Sequence, residues 1–155
     1  HSTAEKEAAI QRNVFALERV LHFRRETEKL RNLEFAMAKR EYEQAEDLLR
    51  REEEEMESLN LEFMSRQIEG ISAQELQLYA DFFQKKSQDI LCQREVVSRL
   101  DEDMVEKRND LVEAAKDKKI MEELKNKKVK AHEKALADKE QGFLDEIALR
   151  NRGLE

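Results

Sequence analysis

FAMAKREYEQAEDLLRREEEEMESLNLEF, residues 35–63, spaces its apolar side chains alternately three and four apart. Phe35, Ala38, Tyr42, Ala45 and Leu49 lead to Met56, Leu59 and Phe63, and only Glu52 breaks the series. This spacing predicts one narrow apolar face on a helix, with the 3.5-residue period of a coiled coil. The stripe extends backwards in phase through Ile10, Val14, Leu17 and Leu21, then through the charged Arg24, Glu28 and Arg31 to Phe35. At that charged interruption a second short stripe, Val20, Phe23, Leu30 and Met37, lies on a neighbouring face. There the seam broadens or rotates, or a partner uses the extra face.

Composition agrees with long helices rather than a globule. Of 155 residues 42% are charged and 39% hydrophobic, with three Gly, no Pro and no Trp. A compact core needs broad apolar faces, and turns need Gly, Pro or Asn clusters, so both are scarce. A disordered chain can carry as much charge, but it lacks a stripe that keeps its phase. The net charge of −7 argues against a nucleic-acid footprint over the whole chain. The single Cys92 has no internal disulfide partner, as in a reducing compartment. No apolar run reaches bilayer length and no signal peptide is evident, so the expected location is cytoplasmic, without direct membrane insertion. The chain opens on His1 rather than Met, and residues before about Asn13 are read as including processed or appended sequence.

After Phe63, Gly70 and the Ser72-x-x-Glu75 pattern read as a helix stop followed by a capping-box start. The expected organisation is a single coiled-coil domain over 1–155, with helix 1 about 3–66, a turn about 67–72 and helix 2 about 73–150. The second series runs Leu76, Tyr79, Phe83, Lys86, Ile90, Gln93, Val97, Leu100, Met104, Lys107, Leu111, Ala114, Lys118 and Met121. It resumes as Val129, His132, Leu136, Phe143 and Ile147, which places a four-residue stutter near Leu124. Folding at Glu69 or Gly70 sets Leu59 opposite Tyr79, Met56 opposite Phe83, Leu49 opposite Ile90 and Leu17 opposite Met121. It also sets Glu52 opposite Lys86, a polar pair of the kind that fixes register. The fold class is therefore all-α, a long antiparallel two-helix coiled-coil hairpin with the second helix longer. From about Ala131 onwards that helix is expected to have no intramolecular partner.

Chemistry is poorly served. His132 and Glu133 begin a zincin-like pattern, but Leu136 stands where the second His belongs. The carboxylate run Glu52–Glu55 has no convergent pocket, Cys92 has no CxxC partner, and there is no Gly-rich phosphate loop. The reading is a protein without catalytic residues, metal or cofactor. The segment KNKKVKAHEK, residues 125–134, lacks aromatic interleaving and is flanked by Glu122, Glu123 and Glu133, so no nucleic-acid partner is expected. Charge is nevertheless segregated, with eleven acidic and three basic residues over 41–69 and ten basic and six acidic over 107–134. Such a gradient orients a partner's approach or is simply a solvated surface. Near the turn there are more apolar side chains than a two-helix seam covers, among them Leu59, Phe63, Leu78, Phe82 and Phe83. Phe82 and Phe83 are neighbours about 100° apart on a helix, so Phe83 takes the seam while Phe82 and Leu78 face outward. That outer pair either thickens the core or forms a docking patch.

Three stretches carry a resemblance to a known family: FALERVLHFRRETEK at 15–29, GISAQELQLYADFFQK at 70–85 and LDEIALRNR at 144–152. In order and spacing they resemble the FliJ/YscO family of type III secretion stalk proteins, over nearly the whole chain from Val14. The resemblance implies a non-enzymatic coiled coil of the flagellar export apparatus, similar to the central stalk of rotary ATPases and peripherally associated with the membrane export apparatus. It implies three partners: the export ATPase hexamer, the cytoplasmic domain of the export-gate membrane protein, and export chaperones. Carried over, the ATPase contact falls on Phe15 and Leu17 and on Phe143, Leu144 and Ile147. The gate contact falls on the half near the turn, at Leu59, Phe63, Leu78 and above all Phe82. Lys86 and Asp89 depart from a continuous apolar strip there. The alternatives are a virulence-type secretion stalk and a purely structural coiled coil that self-associates through its stripe.

Overall fold

The computed structural model describes residues 2–153. Almost all of them fall in two helices, α1 (Thr3–Glu69) and the longer α2 (Ala73–Gly153), and no strand occurs among the described residues. No proline interrupts either backbone ladder. Gly142 lies inside α2 without ending it; relative to Ala it costs about 1 kcal/mol, which a long helix absorbs. At the start of α1, Ser2 Oγ accepts the Glu5 N–H at 3.3 Å and the Ser2 carbonyl accepts the Lys6 N–H at 3.3 Å. That cap satisfies donors the first turn leaves unpaired.

The turn is shorter than the sequence suggests, because α1 continues to Glu69 rather than stopping at 66. Gly70 takes φ +104°, and its N–H bonds the Arg66 carbonyl at 3.0 Å, closing the last turn of α1. Two residues later Ser72 begins α2: its Oγ accepts the Glu75 N–H at 3.1 Å and its carbonyl accepts the Leu76 N–H at 3.0 Å. The Glu75 carboxylate takes the Arg66 guanidinium at 2.7 Å, which ties the two helix ends together.

Packing divides the chain into two compact units. The turn unit is Arg31–Leu111, and the open-end unit combines His1–Leu30 with Val112–Glu155. In the turn unit the helices run antiparallel, with Arg66 at Glu75, Glu53 at Arg94, and the Gln93 side-chain amide donating to the Ala45 carbonyl at 3.0 Å. In the open-end unit they are likewise antiparallel: Glu28 meets Lys118 at 2.8 Å, Glu18 meets Lys125 at 2.6 Å and Glu7 meets Lys139 at 3.2 Å.

The burial pattern follows the spacing seen in the sequence. On α1 the shielded positions alternate three and four apart from Glu7 to Arg66, and on α2 from Phe83 to Met121. Beyond Met121, with Glu122 shielded beside it, the seam continues at Lys125, Val129 and His132, so two steps of four follow one another. The stutter is therefore real and centred on Lys125, while Leu124 turns outward. Pairing also extends further than expected. His132 is half-buried and Lys139 still reaches Glu7, so α2 loses its partner after Lys139 rather than from Ala131. The capped start of α1 at Thr3 supplies those extra contacts.

Full burial is rare. Among the described residues it is reached only by Ala38, Ala45 and Ile90 in the turn unit and by Leu21 and Ala114 in the open-end unit. Small side chains make up three of these five, and Leu21, at 1% exposed, is the most deeply covered of them. At Ala45 the absence of a larger side chain leaves the backbone carbonyl accessible to Gln93.

A Gly70→Ala variant is expected to lose about 1 kcal/mol of stability. A Cβ there meets nothing within 4 Å, so the cost comes from the left-handed backbone alone. Urea unfolding followed by circular dichroism measures it, with helicity before the transition unchanged.

Candidate partner-docking surfaces

In the turn unit an aromatic cluster is built from both helices. Phe63 of α1 lies 5.1 Å from the Tyr79 ring and 5.5 Å from that of Phe83, the latter edge-on. Tyr79 and Phe83 are one turn apart on α2, with ring centroids 6.5 Å apart. Edge-to-face and tilted contacts suit aromatic quadrupoles, so the cluster stiffens the end of the seam next to the turn. The Tyr79 hydroxyl donates to Glu62 at 3.1 Å, and burial, then the Glu62 carboxylate, holds the phenol above its ordinary value.

Phe82 and Leu78 stand outside this cluster, 60% and 59% exposed. They line an open groove with Leu59, Glu62, Arg66 and Tyr79. The groove combines an apolar floor with a carboxylate and a guanidinium at its rim, a composition that suits a partner side chain anchored among polar contacts. Of the four gate-facing residues expected from the sequence, Leu78 and Phe82 are thus open to solvent. Leu59 is half-buried at the groove edge, and Phe63 is packed into the aromatic cluster. On the far side of α1, Leu61, Met64 and Ile68 are also exposed, Ile68 at 89%.

Within the turn unit's seam, Lys86 Nζ lies 2.6 Å from Glu52 and also contacts Glu55. Lys86 and Glu52 are only 20% and 24% exposed. Glu52 Oε2 is shut off from water and faces the Lys86 ammonium. Glu52, and then Glu55, raise the Lys86 pKa above its ordinary value.

In the open-end unit, Ile10, Val14 and Phe15 of α1 border a groove with Val129 and His132 of α2. Leu17 is half-buried in the seam, whereas Phe15 is exposed. Phe143, Leu144 and Ile147 are exposed on the stretch of α2 that follows Lys139. At 1.5 Å per residue, Phe143 lies roughly 20 Å along α2 from Val129, so the two groups expected to share one contact form separate patches. The Gln93 contact to the Ala45 carbonyl had no clear forecast in the sequence; its signal is a glutamine at a seam position opposite an alanine. Cys92 is exposed beside it. Among the described residues no helix is long and apolar enough to cross a membrane.

With these surfaces in view, the comparisons with known proteins define a class. Residues 13–153 match the family described as Flagellar FliJ protein, so the chain belongs to that family, a FliJ-type flagellar export protein. The match takes in both helices and the turn between them. No curated protein and no solved structure matches the chain.

The seam pair generates a prediction in two parts. Lys86→Leu alone leaves Glu52 shielded and unpaired and lowers stability by about 1–2 kcal/mol, less than a fully buried pair because water still reaches the site. Glu52→Leu/Lys86→Leu together melts at or above the wild-type temperature, since the desolvation cost of both charges is removed. Because the folded Lys86 pKa is raised, its contribution is fully present below its ordinary 10.5 and is lost as pH climbs beyond that. Thermal melts at neutral pH and above pH 10.5 check both parts.

Proposed function

We propose that the chain acts by binding alone, as a stalk-like subunit that engages and stimulates the flagellar export ATPase ring. The observation that carries this reading is the end of α2. After the Glu7–Lys139 pair it has no helical partner, yet it presents Phe143, Leu144 and Ile147 to solvent. Exposed apolar residues on a helix without a partner are expensive to keep in water unless another protein covers them. In a member of the flagellar FliJ family the ATPase ring is the partner that fits. Phe15, with Ile10 and Val14, gives the same unit a second patch for the ring to hold, and Leu17 supports it from within the seam.

The groove of Leu78 and Phe82, bordered by Leu59, suits the cytoplasmic domain of the export gate. Phe63 supports this surface from behind rather than contributing area to it. Export chaperones are the third class of partner in this reading. The protein thereby works at the cytoplasmic face of the membrane export apparatus without entering the bilayer. The flagellar family match favours this setting over a virulence-type secretion system.

Stimulation of the cognate export ATPase tests the stalk reading. Wild-type protein is expected to raise the hydrolysis rate several-fold, and Phe143→Ala/Ile147→Ala to lose that effect with unchanged helicity, since two exposed truncations remove contact area without disturbing a core. Unstimulated hydrolysis by a verified ATPase ring defeats it. Separately, Leu78→Ala/Phe82→Ala is expected to weaken binding to the gate domain about tenfold or more, as truncated anchors do. It should leave ATPase stimulation intact, and calorimetric titration measures the first effect.

A further inference from the structure

Opposite its seam, α2 of the open-end unit carries a straight row of lysines. Lys119, Glu123, Lys127, Lys130 and Lys134 recur at steps of four, four, three and four, so at 100° per residue they stay within an arc of about 80°. All five are exposed. The seam residues Met121, Lys125, Val129 and His132 lie on the other side of the helix, so the row points away from α1. At 1.5 Å per residue it is roughly 23 Å long.

These lysines are not engaged within the molecule. Lys118 and Lys125 belong to the seam, where Glu28 and Glu18 hold them, and Lys116 meets Glu113 at 3.6 Å. The nearby carboxylates Asp117 and Glu122 pair with Arg24 and Arg25 of α1. Among the described residues no ion pair engages Lys119, Lys127, Lys130 or Lys134. Glu123 is the one carboxylate in the row, which keeps a net charge of +3, and Asp138 follows a turn beyond Lys134. The open-end unit holds seventeen basic and fifteen acidic residues, against twelve and twenty-one in the turn unit. The acidity that gives the chain its −7 therefore lies in the other unit.

Shape and chemistry select the partner. A protein partner is anchored by buried aromatic or arginine side chains, and single-stranded nucleic acid by stacking on aromatics; the row supplies neither. The phosphates of a duplex wind around it and leave a straight line within a groove about 12 Å wide, whereas the headgroups of a bilayer stay planar over the whole row. Lysine ammoniums are compact, hydrated charges on flexible stems, suited to a diffuse layer of phosphates. Ile120 and Leu124 stand at one edge of the row, too few for the helix to sink among acyl chains. We propose that the open-end unit lies with this row against the headgroups of an anionic bilayer, held electrostatically and without insertion. Each lysine near such a surface strengthens partitioning roughly fivefold, so a net of three gives about a hundredfold. Phe143 follows Lys134 by nine residues, half a turn around α2, so it faces away from the bilayer and stays accessible.

Co-sedimentation of the full chain with vesicles tests this, comparing pure phosphatidylcholine with a mixture holding about 30% phosphatidylglycerol. The wild-type protein is expected to bind only the anionic vesicles at about 0.1 M salt and to leave them at about 0.5 M. Lys127→Gln/Lys130→Gln/Lys134→Gln should weaken that binding about a hundredfold with unchanged far-ultraviolet circular dichroism. Lys39→Gln/Arg40→Gln/Arg51→Gln removes as much positive charge from the turn unit and should bind like wild type, as should Phe143→Ala/Ile147→Ala. No binding at the lower salt, binding that ignores phosphatidylglycerol, or equal loss by both triple variants overturns the proposal. So does tighter capture of an oligonucleotide than of anionic vesicles at the same salt, which makes the row a nucleic-acid site.

Discussion

Two helices shield a side chain only along the narrow line where they touch, and most features of this protein follow from that constraint. Many large apolar residues on the line keep part of their surface in water, as Phe35, Tyr42, Leu49 and Met56 do, while Leu21, Ile90, Ala38 and Ala45 are covered. Neither helix has a broad enough apolar face to stand as a conventional core element. Each is therefore stabilised chiefly by the other, together with the caps at Ser2 and Ser72.

The same narrowness lets charge into the seam. Lys86 with Glu52, and Lys118 with Glu28, occupy seam positions in the turn unit and the open-end unit respectively. Their long stems pack on the stripe while their heads reach its edge. Glu28, in the first place, holds the Lys118 pKa above its ordinary value, and Lys125 holds that of Glu18 below. These pairs add little net stability, but a slipped register would leave shielded charges unpaired, and that penalty favours a single alignment. Gln93 on the Ala45 carbonyl acts in the same sense, since it fits only where an alanine faces it.

What the seam cannot cover becomes available for recognition. In the turn unit, Phe63, Tyr79 and Phe83 are absorbed into an aromatic cluster, and Phe82 and Leu78 are left outside it. In the open-end unit, the end of α2 and the stripe of Val20 and Phe23 remain open. These exposed patches are the surfaces on which the proposed binding role rests.

The two long helices, their antiparallel pairing, the longer α2 and the stutter were legible in the residues alone, because 3-4 periodicity is a local property that any helix carries into space. The Glu52–Lys86 contact followed from the same arithmetic once Gly70 marked the turn. Boundaries and exposure were not legible. The last turn of α1 reaches Glu69 because Gly70 adopts φ +104°, a conformation its identity permits but does not require. Pairing reaches Lys139 because side chains lean along the helices and α1 starts at Thr3. Which phenylalanine near the turn is packed and which is free depends on rings from both helices meeting, as Phe63 meets Tyr79 and Phe83. Periodicity determines the face on which a residue lies; only the packed pair of helices decides how much of that face the neighbour covers.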